Sequence, residues 1–149
     1  MQMDNIDLYI YSSIKGNVRK SGSYIYILEV KTGKGPATLT GGPVKVENVT
    51  GYQSELMAMI GGLKRLTRPC TLKIHASNVT LMAALQNGWY KTWAENDYKN
   101  SKGEDVSCVD EWKQFNESLG ESCIDDVVSD KHSYSSWMES ECRKGDVNV

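Results

Sequence analysis

The chain has no Cys-x-x-Cys pair, no apolar run near the roughly 18 residues of a membrane span, no internal repeat and no low-complexity tract. Each absence removes a class of protein. Cys70, Cys108, Cys123 and Cys142 lie far apart, which fits neither a zinc knuckle nor a dense disulfide framework, so four reduced thiols are expected. The first residues, Met1-Gln2-Met3-Asp4-Asn5, offer no basic segment followed by an apolar stretch, so a cytoplasmic protein with no membrane partner is expected. What is present suits one globular core. At 149 residues, 40% hydrophobic and 24% charged, the chain is too short for two ordinary domains. A single domain over residues 1–144 is expected, with a frayed tail over 145–149.

The net charge of -2 conceals an asymmetry. Residues 1–75 carry ten Lys and Arg against five Asp and Glu, whereas residues 76–149 carry seven against fourteen. Such a split suits either a nucleic-acid face opposed by a repelling one, or two solvated surfaces of one domain.

Hydropathy periodicity sets out the elements. Ile6, Leu8 and Ile10 alternate with Asp7, Tyr9 and Tyr11, the period of two of a half-buried strand running to Ser12. The basic, glycine-bounded stretch Lys15 to Gly22 then leads to a second strand over Ser23 to Lys31. The turn cluster Thr32-Gly33-Lys34-Gly35-Pro36 precedes a short third strand, Ala37 to Gly41. Three antiparallel strands therefore come first. Thr50 as N-cap, Gln53 as its capping-box partner and the spacing of Leu56, Ile60 and Leu63 predict a helix over 51–66, with Pro69 beyond it. A fourth strand over Thr71 to Ala76 and a helix over Asn78 to Gln86 suggest a parallel crossover. A polar loop over 95–107 leads to a helix capped by Ser107 and Asp110, with Val109, Trp112, Phe115 and Leu119 on one face. Cys123 to Val128 makes a fifth strand, and Ser136 with Glu139 starts a short final helix at Trp137 and Met138.

Local sequence then narrows the possibilities. Val49-Thr50-Gly51-Tyr52-Gln53-Ser54-Glu55-Leu56-Met57-Ala58 resembles the start of the first helix in type I ribonuclease H, where a Glu precedes Leu-Met-Ala. Ala76-Ser77-Asn78-Val79 is similar to that family's Asp-Ser-x-Tyr-Val stretch, and Gly88-Trp89 with Trp93 to its Trp-rich helix. Cys108-Val109-Asp110-Glu111-Trp112 is similar to its Asn-x-Asp-x-Trp helix start, while Leu119-Gly120 and His132 fall at the spacing of its helix end and loop histidine. The resemblance covers nearly the whole chain. It implies an α/β, ribonuclease H-like fold: a five-stranded mixed sheet, three antiparallel strands first, flanked by helices.

Members of this family cut the RNA strand of an RNA/DNA hybrid with two divalent ions held by four carboxylates. Carried over residue by residue, the resemblance places those acids at Tyr11, Glu55, Ala76 and a position near Cys142, where Glu141 is adjacent and Glu139 lies three residues earlier. Glu55 is retained, vestigial without its partners. Tyr11 and Ala76 stand at lost carboxylate positions, and Glu141 keeps the last ligand only through a one-residue shift. Asp7 lies four residues from the expected ligand position, beyond coordination slack at roughly 3.3 Å per strand residue. No metal is expected at high affinity, with Glu55 and Glu141 the residues concerned if any, and no resident cofactor.

His132 corresponds to the family's catalytic loop histidine, on a mobile loop, and is the remaining catalytic candidate. The basic loop Lys15, Gly16, Asn17, Arg19 and Lys20 is the best candidate for nucleic-acid binding, Gly16-Asn17 matching the turn that contacts the RNA sugar. The acidic protrusion, with Glu95, Asp97, Glu104 and Asp105 against Lys99 and Lys102, opposes tight binding. Trp89, Trp93 and Trp112 suit either base stacking or the core. Three readings follow. The first is a ribonuclease H-like protein that has lost nuclease activity and binds hybrid, other nucleic acid or a protein. The second is an active hybrid nuclease using magnesium or manganese with Glu55, Asp7 and Glu141 or Glu139 in an unusual register. The third is a pure protein-binding domain that uses the acidic second half.

Overall fold

The computed structural model describes residues 4–129 and 131–147. Its elements run β1 (Asp4–Ser12), β2 (Lys20–Thr32), β3 (Gly35–Val49), α1 (Gly51–Leu63), β4 (Cys70–His75), α2 (Val79–Gln86), α3 (Trp89–Glu95), α4 (Val109–Leu119), β5 (Cys123–Val128) and α5 (Ser135–Val147). The strands form one sheet in the order β3-β2-β1-β4-β5. β1 pairs antiparallel with β2, Leu8 opposite Leu28, and parallel with β4, Leu8 opposite Ile74. β4 and β5 are parallel as well. The five-stranded mixed sheet inferred from sequence is the one observed. Among the described residues no helix is long and apolar enough to cross a membrane.

Alternation along β1 decides what lies on each face. Leu8 and Ile10 enter the larger core with Leu28, Leu56, Met59 and Leu72, roofed by α1 and α4. Burying each such side chain contributes about 1.5–3 kcal/mol. α1 lies close because Gly62 faces Leu8, where a Cβ would come within 2.6 Å of Leu8 Cδ1. Trp112 and Phe115, both fully buried on α4, meet edge to face with centroids 5.1 Å apart. On the other face Tyr9, Ile25 and Ile27 pack beneath Met138 and Cys142 of α5. That second core is small.

Several boundaries differ from those read in the sequence. β3 is fifteen residues long, not five, and passes straight through Gly41-Gly42-Pro43. As an edge strand it tolerates Pro43, since no outer neighbour needs its missing N–H, and register shifts against β2 absorb the irregularity. α1 ends at Leu63 rather than 66, because Arg65 and Leu66 N–H groups turn back to Gly62 and Leu63 in a tighter final turn. The capping box is half formed: Thr50 Oγ1 accepts from Gln53 N at 3.2 Å, but the Gln53 amide donates to Glu111 instead. Ser107 does not cap α4. Cys108 does so in a left-handed conformation (φ 58°) without a side-chain bond, and Asp110 and Glu111 complement the helix dipole. α5 is a full helix from Ser135, in which Gly145 and Asp146, assigned to the tail by sequence, are helical. Residues 148 and 149 of that tail lie outside the described residues.

Candidate functional site

The ends of β1 and β4 meet the starts of α1, α2 and α5 around two adjoining cavities. Where α1 starts, Thr50 fixes the first turn, and Ser54 Oγ lies 2.6 Å from Ser12 Oγ, which also accepts from Ile14 N at 3.0 Å. This buried pair clamps helix to strand. Glu55, one residue on, is only 2% exposed. Its Oε1 accepts from Ser77 N at 3.0 Å and Asn78 N at 3.1 Å, and its Oε2 from Ser77 Oγ at 2.9 Å. Asn78 in turn caps α2 by accepting from Leu81 N at 3.0 Å. The Glu55 carboxylate thus staples the β4–α2 turn to α1.

Beside that turn lies a cavity of about 290 Å³ at the place where the resemblance puts the carboxylate centre. Tyr11, Lys15, Ala76, Ser77, Lys131, His132 and Glu139 are among its lining residues. Tyr11 is half-buried, and burial first, then the nearby Glu139 carboxylate, pushes its phenol above the ordinary value. The Lys15 ammonium sits 4.5 Å from the centre of the Tyr11 ring. Ala76 is 7% exposed and its N–H donates to Val128 O at 3.1 Å, so only a methyl group can face the cavity. From α5 the residue on the wall is Glu139 rather than Glu141. Glu139 accepts from Arg143 at 2.9 Å, while Glu141 lies within 3.5 Å of Lys144. Cys142, at the position of the last acid, faces the sheet in the second core, and burial holds its thiol above the usual range.

This donor set does not fit a pair of divalent ions. Magnesium needs several unencumbered oxygens to offset its dehydration. Here both Glu55 oxygens are taken by three donors, Glu139 is paired with a guanidinium, and the remaining positions are a phenol and a methyl group. Among the described residues, no group of three or more His, Cys, Asp and Glu is placed to hold a metal ion.

His132 stands in the cavity wall with its ring 4.4 Å from that of Tyr9, and its Nδ1 accepts from Tyr134 N at 3.2 Å. Sequence reasoning missed its companion. His75, 6% exposed, stacks on Tyr9 at 4.1 Å and places Nε2 3.0 Å from Asp7 Oδ1. Asp7 is therefore engaged with His75 and is not among the residues lining the centre. Lys131, next to His132 in sequence, lines the same cavity.

The second cavity is a groove of about 590 Å³ between the loop after β1, the starts of α1 and α2, and α3 with the protrusion that follows. Asn17, Arg19, Thr50, Asn78, Trp89 and Trp93 are among its lining residues. Of the proposed binding loop, Asn17 and Arg19 reach this groove, and Arg19 donates to Asn48 O at 3.0 Å. Gly16 accepts from Gly51 N at 3.1 Å, which ties the loop to the head of α1, whereas Lys15 serves the other cavity. Lys20 is exposed at the first position of β2. Trp112 belongs to the core, but Trp89 is 44% exposed on the groove and tilts against Trp93 at 6.3 Å. The sequence marks Thr50 as a cap, Asn78 as the start of a helix and Trp89 as a stacking or core residue, and their convergence on one wall comes from the fold. The protrusion folds on itself through a Lys99–Asp105 ion pair and leaves Glu95, Asp97 and Glu104 exposed.

The sheet order, the helix carrying Glu55 and the two adjoining cavities define the ribonuclease H architecture. No family model matches the chain. It is 32% identical over 110 residues to the ribonuclease H of Legionella pneumophila, covering 74% of this chain and 72% of that protein. With the ribonuclease H of Caldicellulosiruptor saccharolyticus it is 34% identical over 73 residues, and here it spans about half of that relative, 50%. Its fold superimposes on LC9-RNase H1, a type 1 enzyme with the type 2 active-site motif, with a TM-score of 0.74 at 12% identity, over 99% of this chain and 74% of that one. The chain belongs to the ribonuclease H family.

Proposed function

We propose that this protein binds nucleic acid of the RNA/DNA-hybrid kind in the groove beside Trp89 and does not cut it. The observation that carries the reading is the state of Glu55: its two carboxylate oxygens hold the β4–α2 turn through three hydrogen bonds. Family chemistry needs that carboxylate open to a metal ion and faced by two more from β1 and β4, where this chain has Tyr11 and Ala76. The groove keeps what binding requires. Neutral amides and hydroxyls suit phosphate and sugar oxygens, Arg19 adds one charge, and exposed Trp89 offers a stacking plane. The acidic protrusion withdraws a source of phosphate contacts, so affinity is modest and falls with salt in proportion to the few phosphates that remain neutralised.

The reading is tested by incubating a labelled hybrid with the protein in magnesium and in manganese, and by following anisotropy of the same hybrid across a salt series. Salt-dependent binding without cleavage is the expected outcome. Metal-dependent cleavage that disappears in Glu55→Gln would overturn it.

A further inference from the structure

We propose that the cavity at the former metal centre is a seat for one phosphodiester group, with Lys15 and Lys131 supplying the positive charge that divalent ions supply in a nuclease; this rests on the nucleic-acid reading above. Both lysines line the cavity and both are exposed. Neither forms an ion pair with a described residue: Lys15 instead lies over the Tyr11 ring. On the negative side, Glu139 is paired with Arg143 and Glu55 is turned away into the β4–α2 turn. Hydroxyls complete the wall. Ser77, Ser129 and Ser135 line it, and Ser135 begins α5, whose N-terminal end adds the positive pole of the helix dipole. A centre built to hold cations through anions has become one that can hold an anion through cations.

Continuity with the groove gives this seat its ligand. The two cavities share two loops: Lys15 lines one and Asn17 the other, and Ser77 lines one and Asn78 the other. A strand lying along the groove therefore carries its next backbone phosphates past Ser77 and between the lysines. Binding at this end then needs no metal.

The test measures hybrid binding by anisotropy in EDTA and in magnesium for the wild type, Lys15→Gln, Lys131→Gln and the double variant, with Lys34→Gln on the distant β2–β3 turn as control. In parallel, inorganic phosphate is titrated into the labelled protein at constant ionic strength, with amide resonances as readout. The proposal expects equal wild-type affinity in EDTA and magnesium, and a fall in the salt slope of about 1 for each lysine removed. It also expects at least tenfold weaker binding by the double variant, an unchanged Lys34→Gln, and saturable phosphate shifts at Ser77, His132 and Ser135 that vanish in the double variant. A double variant that binds hybrid like the wild type, or a tenfold loss of wild-type affinity in EDTA, would overturn it. So would the absence of phosphate shifts, even where the groove still binds hybrid. Phosphate shifts in a protein that fails to bind hybrid would uphold the seat and sink the hybrid reading instead.

Discussion

The groove beside Trp89 and the cavity under Tyr11 are neighbours built from the same two loops, yet they respond differently to sequence change. On the proposed reading the groove binds through many weak contacts, most of them neutral and each worth about 0.5–1.5 kcal/mol, so the loss is spread over several positions. The cavity under Tyr11 had to gather several carboxylates on one pair of ions. On the reading proposed above, a phenol at Tyr11 and a methyl group at Ala76 are enough to end that chemistry, while the Glu55 carboxylate accepts three hydrogen bonds from the β4–α2 turn. Binding and cutting are separable in this fold on that reading, and the difference between the two cavities can be tested directly.

The sharpest break comes from Glu55→Ala. It removes the acceptor of two backbone N–H groups and one hydroxyl beside a buried turn, so unfolding should become easier by about 3 kcal/mol or more in a denaturant titration. Hybrid cleavage should be absent before and after the substitution. A normal stability with lost cleavage would make Glu55 a catalytic group. In the groove, Trp89→Ala should weaken hybrid binding by about 1–3 kcal/mol while leaving the melting temperature within error, since the ring is half exposed. Unaltered affinity would return Trp89 to the role of a mere surface residue. Thr50→Ala, which removes the α1 cap, should cost about 1 kcal/mol of stability on chemical unfolding and only a small part of the affinity.

The smallest effect is kinetic. Burial, then the Glu111 charge, pushes the Cys108 thiol up to about 11, and burial also raises Cys70 and Cys142. At pH 8 only about one Cys108 in a thousand is thiolate, so alkylation should begin at exposed Cys123, as peptide mass spectrometry would record. Raising the pH toward 11 should bring Cys108 forward. Early labelling of Cys108 at pH 8 would contradict the partial burial that raises its thiol where it lines the groove.

Much of this was legible in the chain. The alternation of Ile6, Leu8 and Ile10 fixes a strand whose two faces feed two different cores, and Glu55-Leu56-Met57-Ala58 places the first helix and its acid. Other features depend on contacts that a linear pattern does not contain. β3 looked short because Gly41-Gly42-Pro43 reads as a break, and only its position at the sheet edge makes that proline harmless. Whether Glu139 or Glu141 faces the centre depends on the rotation of α5, which is set by Met138 and Cys142 docking on Tyr9, Ile25 and Ile27. At about 100° per residue, Glu139 and Glu141 then project to opposite sides of that buried stripe. α5 itself looked short because its apolar stripe consists of little more than those two residues. His75 reads as the polar half of an alternating strand, and its burial against Asp7 and Tyr9 follows from sheet register alone. Lys131 carries no local signal at all.

The central claim is that the centre under Tyr11 has exchanged metal binding for other work. It is tested most directly by titrating manganese into the labelled protein and following paramagnetic broadening of its amide resonances. The account predicts that Tyr11, Ala76, Ser77 and Glu139 keep sharp signals throughout a millimolar titration, with any broadening confined to exposed acidic positions such as Asp97 and Glu104. Selective, saturable broadening centred on Tyr11, Glu55 and Ala76, abolished by Glu55→Gln, would contradict it.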